Sequence, residues 1–229
     1  MANENLVYDQ QARQYDLLVS REDYQQNISQ AIRSILAPEG LDIVELGAGT
    51  GRLTGLLFPL AKKLWAFDRS KHMLDIAAAK LPRDSRQNCQ LAVADHRYLP
   101  LADKVADLVI SGWSICYLVV WSGSSWRAEL VRGISEMQRV LRPGGKILLF
   151  ETLGTGVENP TPPDNLTEYY AFLDESGFSS VCIRTDYRFA SVEEAQALMA
   201  FFFGAEMTRK ITSPLVPECT GVWYLNKVG

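Results

Sequence analysis

The sequence predicts an α/β protein, a doubly wound sheet of seven strands with helices on both faces. Three observations predict it. Residues 41–54, Leu-Asp-Ile-Val-Glu-Leu-Gly-Ala-Gly-Thr-Gly-Arg-Leu-Thr, read as a buried strand that ends in a glycine-rich turn and opens a helix. Apolar strand-like runs and helix-periodic segments then alternate along the chain. Acids stand where two of those runs stop, at Asp68 and Asp95.

With 229 residues the chain can bury one sizeable core, so a single domain over 1–229 is expected, divided into an N-terminal helical cap (1–40), a central core (41–151) and a C-terminal part (152–229). A hydrophobic content of 47% and a charged content of 22% are those of a soluble globular protein. The net charge of −4 does not attract a phosphate backbone over long range, so nucleic acid is not expected as a partner. Cys89, Cys116, Cys182 and Cys219 lie far apart, and the only histidines are His72 and His96, so no metal cluster is spelled out. Free thiols in a reducing compartment follow. The first residues lack the basic flank and apolar stretch of a secretory leader, and no apolar run reaches bilayer length; a cytoplasmic protein with no membrane partner, monomer or homodimer, is expected.

The spacing of the glycine turn limits its ligand. A dinucleotide fingerprint needs Gly-x-Gly-x-x-Gly, but Gly47, Gly49 and Gly51 bring the third glycine one place early and leave Arg52 at the dinucleotide position. Glu45, at the mouth of the turn, would repel a pyrophosphate and can pair with an ammonium. A zwitterionic or cationic ligand therefore suits the turn better.

Glu45-Leu46-Gly47-Ala48-Gly49-Thr50-Gly51 resembles motif I of the class I S-adenosylmethionine-dependent methyltransferases. The resemblance covers nearly the whole chain, is strongest over 41–151, and implies a mostly parallel sheet whose last strand runs antiparallel. It implies S-adenosylmethionine as cofactor, S-adenosylhomocysteine as product and a small-molecule methyl acceptor.

Before the first strand, Tyr8-Asp9 and Ala12-x-x-Tyr15-Asp16 open a helical pattern that runs through Tyr24, Ile28, Ile32 and Leu36 to a stop at Pro38-Glu39-Gly40. In the family such a tyrosine covers the methionine end of the cofactor, which would fall to Tyr15; a packing aromatic reads the same. A helix from Gly51 to Leu57 leads to a second strand over 63–67 that stops at Asp68. An acid there, about twenty residues past the first glycine, is where a Rossmann-like site accepts the ribose hydroxyls. Ser70 caps the next helix. The resemblance places Arg69 and Met73 beside the adenine, although Met73 alone reads as core.

The third strand, 89–94, ends at Asp95-His96, and the resemblance gives the Asp95 carboxylate to the adenine amino group and the His96 backbone to the ring. His96 as a loop histidine without chemical duty is the simpler reading. The fourth strand, 106–110, leads into Ser111-Gly112-Trp113-Ser114, which resembles motif IV beneath the transferred methyl and adds Ser111 and Gly112 to the cofactor set. The nucleic-acid amino-methylating enzymes carry Asn/Asp-Pro-Pro-Tyr/Phe there, so adenine or cytosine N-methylation is not expected. Trp113, Tyr117, Trp121 and Trp126 either wall a substrate pocket or fill a helix interface.

A helix to Leu141 and the Arg142-Pro143-Gly144-Gly145 turn precede a fifth strand over 146–151. Residues 152–165 read as a loop, and Asn165 with Glu168 as the capping box of a helix carrying Tyr169 and Tyr170, with Tyr169 a pocket candidate. A sixth strand over 180–189, a helix capped by Ser191 and Glu194, and a last strand over 220–225 complete the chain.

No particular catalytic side chain is obligatory, because the donor is activated by its own charge; His96, Glu151 or Tyr117 could act as a base. The alternatives are an NAD(P)-dependent oxidoreductase, disfavoured by the early third glycine, and a non-catalytic nucleotide-binding module.

Overall fold

The computed structural model describes residues 11–82 and 87–227; the expected Tyr8-Asp9 contribution lies outside them. In chain order, helices α1 (Ala12–Val19) and α2 (Asn27–Ile35) precede strand β1 (Asp42–Leu46). Then come α3 (Arg52–Leu57), β2 (Lys63–Asp68), α4 (Lys71–Lys80), β3 (Cys89–Val93) and β4 (Ala106–Gly112). They are followed by α5 (Tyr117–Val120), α6 (Trp126–Val140), β5 (Leu141–Thr155), α7 (Thr167–Glu175) and β6 (Ser179–Arg184). A short β7 (Tyr187–Arg188), α8 (Val192–Phe203), β8 (Leu215–Val216) and β9 (Glu218–Asn226) end the described chain.

Seven strands form one sheet in the order β3-β2-β1-β4-β5-β9-β6. β1 to β5 pair in parallel, while β9 runs antiparallel to both β5 and β6. The expected doubly wound sheet with an antiparallel last strand is therefore observed. Alternation along the central strands sorts the core: Val44, Leu46, Ile147 and Leu149 face α6 and α7, whereas Ile43, Leu108, Leu148 and Phe150 face α2 and α3. A third apolar cluster joins Leu18 of α1 to Ala195, Leu198 and Met199 of α8 and to Tyr187 and Met207, forming a lobe of its own.

Four elements differ from the sequence expectation, each for a local reason. The N-terminal helical pattern breaks into two helices, because Asp23 and Gln26 adopt positive φ (60° and 63°) and the Asp23 carboxylate accepts the Asn27 and Ile28 N–H groups that open α2. β5 does not stop at Glu151. Gly154, at φ 130°, takes up a bulge, and pairing with β9 continues to Thr155 opposite Glu218. No side chain caps α7: a single turn over Asp164–Leu166 leads into it, and buried Leu166 occupies the cap position, so the Asn165–Glu168 box does not form. The predicted sixth strand is two strands, because the Asp186 carboxylate accepts the Glu218 N–H and the Arg184 guanidinium and interrupts the ladder. β7 pairs instead with β8.

Ser70 caps α4 as expected, accepting from the Met73 N–H, and Ser191 caps α8 through Glu194 N–H. Glu194 returns its carboxylate to the Ala190 N–H and to Arg21, tying α8 to the segment after α1.

The turn from β1 to α3 is held from within. Glu45 is buried (1% exposed), and its Oε2 accepts from the Thr54 hydroxyl in the first turn of α3 at 2.7 Å. Where the sequence suggests a partner for a ligand ammonium, the structure places Glu45 inside the fold on Thr54; burial raises its pKa to about 8, against the opposing Thr54 hydrogen bonds. Gly47 has φ 70°, and a Cβ on it would lie 1.9 Å from the Ser114 Oγ, so a side chain is excluded by the loop after β4 as well as by the backbone.

Two predictions follow from this turn. A carboxyl whose folded pKa exceeds its ordinary 4.5 gives stability below that value and loses it as pH rises through the folded pKa of about 8. Glu218 (raised well above the carboxylate range) and Glu151 (about 7) share that sign, while His96, lowered from 6.5 to about 4, has the opposite sign only below 6.5. The thermal midpoint should therefore fall between pH 6.5 and 8, and Glu45→Gln should flatten that fall; an unchanged slope would disprove the assignment. In urea titrations Gly47→Ala should cost roughly 2 to 4 kcal/mol and Gly49→Ala only about 1, because a Cβ at Gly49 meets nothing closer than 4.0 Å. Equal costs would show that backbone conformation alone decides.

Candidate functional site

Parallel register carries the ends of β1 to β4 to one edge of the sheet, where open α/β sheets bind ligands. Leu46 lies opposite Phe67, so Asp68 falls beside the glycine turn. Its Oδ2 accepts the Gly49 N–H at 2.8 Å and its Oδ1 the Ser70 N–H at 2.7 Å. One carboxylate thus ties the turn after β1 to the start of α4. Burial raises its pKa, opposed by these same N–H groups.

Asp95, past β3, is gripped by Arg97, whose Nε and Nη2 reach Oδ1 at 2.7 Å and Oδ2 at 2.6 Å. That hydrogen bonding holds the Asp95 carboxyl down at about 2, and Arg97 is itself braced by Glu129. His96 Nε2 stands 3.3 Å from the Ser114 Oγ, and desolvation lowers its pKa to about 4, so it is a neutral imidazole at pH 7.

After β4 the chain makes a strained turn. Trp113 has φ 49°, a left-handed conformation costly for a bulky residue. Three contacts hold it there. Its N–H donates to the Phe150 carbonyl at 2.7 Å, its ring packs on Phe150 with centroids 5.8 Å apart, and the Arg52 guanidinium covers it at 3.7 Å.

These elements enclose a cavity of about 330 Å³. It brings together Tyr15 from α1, Gly47 and Gly49 from the turn, Asp68 and Arg69 at the end of β2, Asp95 and His96 after β3, and Gly112, Trp113 and Tyr117 from the end of β4 onward. Arg69 lies over the Trp121 ring at 4.7 Å, and Ser70, Arg97, Ser114, Trp121 and Ser122 complete the polar and aromatic wall.

Other expected residues stand elsewhere. Glu45 is inside the fold, and Ala48 packs in the core on the α3 face while its N–H holds the Phe67 carbonyl. Gly51 serves helix packing: a Cβ there would meet the Ala77 Cβ at 3.0 Å. Met73 is core, as its periodicity alone suggests, and Ser111 is fully buried with an unpartnered Oγ. Tyr169 is fully buried behind the site and donates its hydroxyl to Glu151 Oε1 at 3.0 Å.

A second cavity, of about 450 Å³, shares Tyr15, Trp113 and Tyr117 with the first. Its remaining wall comes from segments far apart in sequence, including Glu22, Arg52, Glu151, Tyr187, Phe203 and Glu218. Arg52 pairs with Glu22, whose other oxygen accepts from the Thr185 hydroxyl at 3.2 Å. Glu151 Oε1 accepts from Tyr169 and from the Cys116 N–H, but Oε2 has no partner. Glu218 Oε1 accepts from the Thr152 hydroxyl at 2.8 Å, and its Oε2 likewise has none. Sequence reasoning did not place Glu22, Glu218 or Tyr187 here, because no local pattern links residues 22, 187 and 218. Among the described residues no group of three His, Cys, Asp or Glu side chains is arranged to hold a metal, and no helix is long and apolar enough to cross a membrane.

A family model described as a methyltransferase domain matches residues 44–149. The malonyl-[acyl-carrier protein] O-methyltransferase of Methylococcus capsulatus is 39% identical over 122 residues, 52% of this chain and 40% of that protein. The enzyme of the same name from Marinomonas sp. is 31% identical over 152 residues, 65% of this chain and 51% of that protein. The chain therefore spans about half the length of the curated relatives it matches. Among solved structures, an S-adenosylmethionine-dependent methyltransferase from Aquifex aeolicus superimposes with a TM-score of 0.55 at 14% identity, covering 85% of this chain and 87% of that one, which is a likeness of fold. Residues 44–149 therefore match a methyltransferase domain, and the fold around them is like that of a solved S-adenosylmethionine-dependent methyltransferase.

Proposed function

We propose that the protein transfers the methyl group of S-adenosylmethionine to a small-molecule acceptor held in the second cavity. The observation that carries this reading is the shared aromatic wall of Tyr15, Trp113 and Tyr117, which joins a cavity suited to a nucleoside to a larger one suited to an acceptor.

The residues present fit the donor. Asp68 spends one lone pair per oxygen on Gly49 and Ser70 and keeps others for a ribose diol. Asp95, fixed by Arg97, stays ionised and able to accept from an exocyclic amine. The aromatic faces at the junction favour a positively charged sulfur. When bound, S-adenosylmethionine supplies an electrophilic methyl on that sulfur.

What the chain then contributes is alignment and dryness. Holding two reactants in contact geometry is worth up to about 7 to 11 kcal/mol. Trp113, locked by Phe150 and Arg52, fixes the boundary at which the reactants meet. Tyr15 stays a neutral phenol, since burial raises its pKa to about 12, and His96 stays a neutral imidazole. Glu151 differs. Its carboxyl is raised by burial to about 7, so Oε2 can take up a proton near neutral pH. Neither the match over residues 44–149 nor the similar proteins favour the nicotinamide-dependent alternative.

Calorimetric titration with S-adenosylmethionine and S-adenosylhomocysteine tests the donor assignment. Asp68→Asn should weaken both by roughly 1 to 3 kcal/mol, because the diol loses a charged acceptor. A matching thermal midpoint separates lost contact from lost fold. Unchanged affinity would remove Asp68 from the site, and binding of NADH without S-adenosylhomocysteine would overturn the reading.

A further inference from the structure

We propose that the acceptor is an amine carried on an apolar or aromatic body, bound in the second cavity with its nitrogen at the Glu151 carboxylate; this rests on the donor reading above. The argument starts from which charges in that cavity are already spent. The cations in its wall are Arg52 and Lys210. Arg52 is committed to Glu22 on one side and to the Trp113 ring on the other, and Lys210 is exposed at the margin. The acids are less well provided for. Glu151 and Glu218 are buried (0% and 2% exposed), each with one oxygen lacking any hydrogen-bond donor.

A buried carboxylate oxygen without a donor is costly, and a ligand that brings N–H groups removes the cost. An acceptor bearing a carboxylate or phosphate would find no uncommitted buried cation to neutralise it and would hold the neighbouring acids in their protonated form. Tyr15, Trp113 and Tyr117 offer electron-rich faces that favour an ammonium, and Val157, Leu166 and Phe203 offer apolar surface for its body.

The step balances without a further reagent. Glu151 Oε2 takes one proton from the ammonium and leaves a neutral amine, which no longer repels the sulfonium. The nitrogen lone pair then forms the N–C bond to the methyl as the S–C bond breaks, its electron pair passing to sulfur. The products are an N-methylammonium and the thioether S-adenosylhomocysteine, so one positive charge moves from sulfur to nitrogen. The raised pKa of Glu151 suits such a proton acceptor.

The test is calorimetry on the full chain saturated with S-adenosylhomocysteine, titrated with benzylamine and hexylamine and with their counterparts phenylacetate and hexanoate. The amines should bind at least about tenfold more tightly than the carboxylates, and Glu151→Gln should lower amine affinity by about tenfold or more while leaving S-adenosylhomocysteine affinity unchanged. That unchanged affinity shows the variant is folded. Glu218→Gln serves as a second variant if Glu151→Gln does not fold, with the same direction expected. Carboxylates that bind as well as amines, amines that do not bind, or an amine affinity indifferent to both substitutions would overturn the proposal while leaving the donor reading intact. Failure of S-adenosylhomocysteine itself to bind would overturn the donor reading, and the amine proposal with it.

Discussion

Everything at the ligand edge of the sheet depends on the Asp68 carboxylate. It receives the Gly49 N–H on one oxygen and the Ser70 N–H on the other, and so fixes the turn after β1 against the start of α4. Hydrogen bonds to an ionised acceptor are stronger than neutral ones, and here they act where the chain has no side chains of its own to pack. With that turn set, Gly47 can lie against Ser114, and Ser114 in turn meets His96. The ends of three strands are thus assembled around one acid.

The interior carries a second, opposite arrangement. Glu45, Glu151 and Glu218 are acids inside the protein whose carboxyls are pushed upward by burial; Glu45 Oε2 accepts from Thr54, whereas Oε2 of Glu151 and of Glu218 has no partner. Buried acids of this kind are expensive for stability and cluster where chemistry is done. Glu45 repays its burial by anchoring Thr54 at the start of α3. Glu151 and Glu218 face the larger cavity.

Much of this was legible in the sequence. Residues 41–110 alternate strand and helix with local signals at nearly every boundary, and Ser70, Asp68 and the glycine turn stand where spacing puts them. What sequence spacing could not resolve is which way a side chain points. Glu45, Met73, Ser111 and Tyr169 occupy the right elements but face the core, because strand and helix periodicity turn them inward. Beyond Glu151 the signals weaken. Gly154 looked like a strand terminator and is a bulge within a strand, and the Glu22, Arg52 and Glu218 grouping depends on long-range packing that no local pattern encodes.

The two cavities draw on the chain differently. Apart from Tyr15, the smaller one is built wholly between Gly47 and Ser122, within the span that matches the family, whereas most of the larger one comes from the flanks, residues 15–22 and 151–218. Substitutions in the flanks other than at Tyr15 can therefore reshape one chamber without disturbing the other. Tyr15, Trp113 and Tyr117 are the exceptions, since they belong to both, and Trp113 is held there by Arg52 from the start of α3. A lineage altering its repertoire would be free almost everywhere in the larger chamber and constrained at those three aromatic rings.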